Sequence, residues 1–229
     1  MESTLRVVAS VAIALAASAC FTSHDGGHSS SAPPDVALPA NVIPVPIVAQ
    51  QTDFTGGDVA TLALLRYWQN ATYANVPENA LYAPLHTTSV DGTEPYDIAT
   101  YISGLPGMTA TYVTAANGTQ LSDLEAAVDR QEPPIVDIQA WDTTSASWSG
   151  DWSDGQYAVM VGYDADNLYF MEPSTWGHYG YIARADLAAR WHDVVGADGV
   201  PTYRMAIFVH GSSPPYTGAQ FPPFASAIP

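Results

Sequence analysis

Residues 45–68 read VPIVAQQTDFTGGDVATLALLRYW, and the fold turns on how this stretch changes character midway. From Thr55 onward there is no strand alternation. Val59, Leu62, Ala63, Leu65 and Tyr67 put apolar groups on nearly every side of a helical wheel, the pattern of a helix enclosed by the core rather than floating on it. Thr55 or the Gly56–Gly57 pair would open that helix, and Asp58 suits the positive end of its dipole. Ahead of it, VIPVPIV at 42–48 alternates and carries β-branched residues. Pro44 and Pro46 lack an N–H, so they allow only an edge strand or an extended lead-in.

Working outward, EPYDIATYIS (94–103) predicts a second helix, stopped at Gly104 and Pro106. MTATYVTA (108–115) predicts a short strand, and Asn117–Gly118 a turn. LSDLEAAVDR (121–130) is helical, with Ser122 as its expected cap. Pro133 and Pro134 end that segment, and IVDIQAW (135–141) is a strand. DTTSASWSGDWSDG is a polar loop. QYAVMVGYD and NLYFMEP form a hairpin around Asp166 and Asn167. ADLAARW is a short helix and RMAIFVH a last strand. Helices come early and antiparallel strands late, so the class is α+β. No internal repeat is visible.

The two ends have a different composition. Leu5 to Ala19 is a run of apolar and small residues leading directly into Cys20, the only cysteine. The run is too short for a stable span but fits the apolar stretch of a secretory signal. Residues 1–20 therefore resemble a lipoprotein signal peptide with its lipobox, Cys20 being the lipidated residue. That implies a cell-envelope location, anchored by lipid to a bacterial membrane and facing the periplasm or exterior. Residues 21–40, rich in Ser, Gly, Pro and Ala, are expected to be a flexible tether. His24 and His28 in that tract are too exposed to hold a metal well. The folded domain is expected over 41–212, with a Pro-rich irregular tail at 213–229. Charge is lopsided: 23 acidic residues face six arginines and no lysine, a net charge of −17. No basic patch could neutralise phosphates, which argues against nucleic acid; the charge would favour a cationic partner, but the better reading is an acidic surface that keeps an exported protein soluble. A lone cysteine excludes an intramolecular disulfide and a cysteine-rich metal site.

Three strings carry a family resemblance. Gln50 lies six residues ahead of Gly56–Gly57, which open the apolar helix ending Arg66-Tyr67-Trp68. DGQYAVMVGYD is followed by NLYFMEPS. LSDLEAAVDRQEPPIVDIQAW lies between them. In this order they resemble the bacteriocin-processing (double-glycine) peptidases, the thirty-ninth family of cysteine peptidases, over roughly residues 44–210. The resemblance implies a papain-like fold: a buried N-terminal helix packed on an antiparallel sheet. It implies a mechanism in which a thiolate at the helix N-terminus attacks the scissile carbonyl, a His shuttles protons, an acid orients the His, and a Gln stabilises the oxyanion.

Position by position, the oxyanion Gln survives as Gln50. The nucleophile position is Gly56, the base position is Gln156, and the orienting position is Glu172. A glycine has no nucleophile and a glutamine amide does not titrate near neutrality. The expectation is a pseudoenzyme: a membrane-tethered, non-catalytic module that binds a peptide or another envelope ligand, with no cofactor or metal. Two rival readings follow from the same residues. One is a hydrolase with a non-cysteine nucleophile, for which Thr55, with Asp53, Asp58 or His178 in support, is the candidate. The other is a purely structural envelope lipoprotein. His86, His192 and His210 have no neighbour at ligand spacing. Trp148 and Trp152, with Trp141, fall on the approach to Gln156 and are candidates for ligand contacts at the cleft rim.

Overall fold

The computed structural model describes residues 34–141, 147–175, 177–196, 199–212, 216–218 and 221–229. The expected signal, Cys20, His24, His28 and most of the tether lie outside the described residues.

The expected helix forms as α1 (Gly56–Trp68), and all of it except Arg66 is buried. It is followed by α2 (Asn70–Tyr73), α3 (Pro95–Ser103), α4 (Leu121–Asp129) and α5 (Leu187–Arg190). The strands are β1 (Val36–Ala37), β2 (Met108–Val113), β3 (Ile135–Gln139), β4 (Gly155–Tyr163), β5 (Asn167–Met171), β6 (Tyr179–Ala183), β7 (His192–Val195), β8 (Val200–Tyr203), β9 (Ala206–Gly211) and β10 (Phe224–Ala227). Eight of them make one sheet in the order β1-β10-β6-β5-β4-β3-β9-β2, antiparallel except where β10 meets β6, and β7–β8 is a separate hairpin. The α+β class and the papain-like arrangement of buried helix on antiparallel sheet are as the sequence implied.

The core is the interface between α1 and the sheet's middle. Val59, Leu62, Ala63, Leu64 and Leu65 are fully buried, as are Val159, Met160 and Val161 of β4 and Ile135, Val136 and Ile138 of β3. A buried Leu, Ile or Val is worth roughly 1.5–3 kcal/mol, so this layer is the main force seating the start of α1 over β4. β3 is buried along its whole length, mid-strand Asp137 included.

Some local expectations are met and others corrected. Residues 42–48 take the extended lead-in rather than the edge strand: Ile43 donates to the Val161 carbonyl at 2.7 Å, but Pro44 and Pro46 cannot continue a ladder. The lead-in is instead pinned by the Tyr179 hydroxyl, which donates to the carbonyls of Val45 at 2.7 Å and Ile43 at 3.3 Å. Ser122 does not cap α4. The chain enters the helix from Gln120, whose backbone N–H donates to Asp123 Oδ2 at 2.8 Å. The sheet also reaches past the expected domain limits of 41 and 212. Val36–Ala37 from the expected tether pairs with Phe224–Ala227 from the expected tail, a pairing between segments too far apart in sequence for local pattern to reveal.

Candidate functional site

Four separate segments bring Gln50, Gly56, Gln156 and Glu172 together. Gln50 is placed by its own backbone, whose N–H donates to the Pro173 carbonyl at 3.0 Å, next to Glu172. Gly56 is the first residue of α1. Gln156 is the second residue of β4, and Glu172 follows the end of β5, the neighbouring strand. Gln156 is the hub. Its Nε2 donates to Glu172 Oε1 at 2.7 Å, Gln50 Oε1 at 3.0 Å and Ser174 Oγ at 3.0 Å. Two amide hydrogens are thus shared among three oxygens.

Gly56 completes the cluster by what it lacks. A Cβ placed there would lie 3.2 Å from Gln156 Cδ, would overlap Gln156 Oε1, and would lie 3.5 Å from Gln50 Oε1. The amide oxygen of Gln156 therefore occupies the space into which a residue-56 side chain would project. Sequence reasoning found all four positions. It missed Ser174, whose backbone N–H also donates to Glu172 Oε1 at 2.9 Å.

Glu172 is fully buried, and burial raises its carboxyl above the usual range, against the lowering effect of the Ser174 N–H, the Gln156 amide and the Trp141 indole. Its Oε2 has no hydrogen-bond partner. A carboxyl in that setting is disposed to keep its proton. The cluster can hold hydrogen bonds, but it contains no thiol and no imidazole, and the Ser174 hydroxyl in it accepts from the Gln156 amide.

The residues considered as substitutes are engaged elsewhere. Thr55 is buried, donating to the Thr52 carbonyl at 3.2 Å and accepting from Thr52 Oγ1 at 3.1 Å. Asp58 is buried too. It accepts from Thr87 Oγ1 at 2.7 Å and Thr93 Oγ1 at 2.9 Å, and burial raises its carboxyl. It stands in the first turn of α1, as expected, and also ties the 87–93 loop to the start of that helix. Asp53 lines the cleft. His178 Nδ1 meets the Tyr179 carbonyl at 2.9 Å with its ring against Phe224. His86 pairs with Asp97, and His210 with Glu132. His192 Nε2 meets the Asp151 carbonyl at 2.6 Å. Among the described residues no group of three or more His, Cys, Asp or Glu is placed to hold a metal.

A cleft of about 330 Å³ opens over Gly56 and Gln156. Asp53, Phe54, Val90, Asp91 and Thr93 wall one side; Trp152, Ser153, Gly155, Tyr157 and Asp193 are among those on the other. Trp152 is at the cleft, as expected, packed on His192 with ring centroids 4.4 Å apart and on Tyr203 at 5.3 Å. Trp148 is not among the lining residues, correcting the expectation. It lies under the Arg190 guanidinium, 3.7 Å from ring centre to Cζ, because a half-buried indole gains more from a desolvated cation than from the rim. Trp141 points to Glu172 rather than to the rim.

The cleft also holds an acid pair that the sequence reading missed. Asp137 is buried on β3, and Asp193 comes from β7. Burial and the neighbouring Asp193 hold the Asp137 carboxyl well above the carboxylate range; burial raises Asp193 as well. Gln139 Nε2 donates to Asp193 Oδ1 at 3.1 Å. A lone charge inside the apolar string IVDIQ was the available signal.

The fold is that of the papain-like cysteine peptidases. More narrowly, it is the fold of the C39-like, double-glycine peptidase domains. A structure described as a C39-like peptidase from Bacillus anthracis superposes with a TM-score of 0.53 at 16% identity, covering 79% of this chain and 100% of that one. The double glycine motif protease of an AMS/PCAT transporter, in complex with the leader peptide, superposes with a TM-score of 0.50 at 13% identity, covering 77% of this chain and 98% of that one. At these identities the likeness is one of fold. No family profile and no curated protein matches the sequence.

Proposed function

We propose that the chain is a non-catalytic, peptidase-fold module that binds an extended peptide segment and is tethered to a bacterial membrane through lipid on Cys20. One observation carries the non-catalytic part. The place of a nucleophile's side chain is taken by the amide oxygen of Gln156, and the base position is that same amide. At positions 56 and 156 neither bond formation to a carbonyl nor proton transfer to a leaving amine has a group to perform it.

The binding part is supported by the cleft, which stays open beside Trp152 and Tyr157 although its reactive positions are gone. One fold neighbour is itself held in complex with a leader peptide. The anchor is supported by the apolar run ending at Cys20. No helix among the described residues is long and apolar enough to cross a membrane.

The test is a paired assay of the purified chain against pooled peptides, reading retention and cleavage in the same samples. Retention without new termini is the expected result. Cleavage by the unmodified chain would overturn the pseudoenzyme reading and return Thr55 to consideration.

A further inference from the structure

The cleft carries more acid than a vestigial peptidase site requires. Asp53, Asp91, Asp137 and Asp193 all line it, and no arginine or histidine of the described residues does. Asp137 is the informative member. It is 3% exposed, sits in mid-strand, and its Oδ1 has no hydrogen-bond partner. An orphaned carboxyl oxygen in the interior costs roughly 1–3 kcal/mol or more, so the fold retains it at a penalty that apolar packing would not incur.

Asp137 shares a side-chain hydrogen bond with Asp193 and accepts from the Gln156 N–H, yet no basic group among the described residues faces it. The ionisable groups set around it are Asp193, Glu94, Tyr112 and Tyr157, all acids or phenols. Tyr157 donates its hydroxyl to the Thr93 carbonyl at 2.8 Å. The basic group next to Asp193 is His192, whose Nε2 is committed to the Asp151 carbonyl. Arg190 is occupied with Trp148 and the carbonyls of Ile228 and Pro229.

Space has been left for this pair. A Cβ on Gly155 would overlap the Asp193 carboxylate, so Gly155 is the residue type that lets β7 bring its acid against β4. Trp152 stands on the same side of the cleft, and an aromatic wall suits a cation.

We propose that this end of the cleft is a subsite for a basic side chain, lysine or arginine, of the bound peptide, held by Asp193 and Asp137. The proposal rests on the peptide-binding reading and adds the chemistry of one residue of the ligand. Two adjacent carboxyls, one buried and one half-buried, resist ionising together. An ammonium or guanidinium between them supplies the missing donor to Asp137 Oδ1 and lets both carry charge.

The experiment uses the full-length chain, immobilised, and a random heptapeptide pool. The retained peptides are sequenced by mass spectrometry for the wild type and for Asp193→Asn, an isosteric change that removes one charge. Lysine plus arginine should be enriched about tenfold on the wild type, the scale of one hydrogen bond to a charged group, and less than about twofold on the variant. A second measurement needs no variant: millimolar N-acetyl-lysine amide should release the pool from the wild type, and N-acetyl-norleucine amide should not. Retention without basic enrichment, or enrichment that Asp193→Asn leaves unchanged, or release by both amides alike, overturns the subsite while the peptide-binding reading stands. No retention at all overturns that reading and the subsite with it.

Discussion

Gly56→Ala isolates the contact on which the functional reading depends. The added methyl would lie 3.2 Å from Gln156 Cδ and would overlap Oε1, so the amide must move. A side-chain end moves easily in general, but this one is held by three hydrogen bonds of 2.7–3.0 Å. The cost is therefore in the bonds rather than in the collision. Glu172 Oε1 loses its side-chain donor inside the protein while Oε2 already has none, and a buried group left short of partners costs about 1–3 kcal/mol. Alanine returns up to about 1 kcal/mol of helix propensity, and less at a first-turn position. The expected net destabilisation is about 1–2 kcal/mol. In a Gln156→Ala background the space is empty, so the same substitution should be neutral or slightly stabilising. The cycle should show a coupling of roughly 2 kcal/mol. Urea unfolding followed by tryptophan fluorescence, with slopes checked for constancy, measures it. Additivity within about 0.5 kcal/mol would refute the claim that Gln156 fills the place of the missing side chain.

Further outcomes are expected. Gly56→Cys alone should remain inactive, because its thiol lacks a base, whereas Gly56→Cys with Gln156→His should cleave pooled peptides slowly and lose that activity to a thiol-alkylating reagent; full activity of the single variant would contradict this. Cys20→Ser should move the chain from the membrane to the soluble fraction, and an unmodified N-terminus at Phe21 in mass spectra of the wild type would sink the anchor. Asp58, Asp137, Asp193 and Glu172 are all raised in the folded state, so the native chain binds protons more tightly than the unfolded one. Their contribution is fully present below the ordinary carboxylate pKa of about 4 and is lost as pH climbs through the raised values. Asp137→Asn should flatten the fall in thermal midpoint over that range and raise the midpoint at pH 8; an unchanged pH profile would show that Asp137 is ionised in both states.

The sequence by itself determined the α+β class and the enclosed helix at 56–68, and it singled out Gln50, Gly56, Gln156 and Glu172, because each is written in local order. An all-round apolar run can only be buried, and a Gln six residues before a helix-opening glycine keeps its spacing whatever surrounds it. It also showed that Gly56 has no nucleophile and Gln156 no titrating nitrogen. Tertiary structure alone decided three things. It showed that the Gln156 amide occupies the space Gly56 leaves, a contact across 100 residues of chain. It moved Trp148 onto Arg190 and left Trp152 at the cleft, a distinction two nearby tryptophans in one polar loop cannot make for themselves. And it set Asp137 against Asp193. Nothing in either acid's neighbourhood along the chain announces the other, because the pair exists only through the seating of β7 beside β3 and β4, and burial, not sequence, gives their shared charge its consequence.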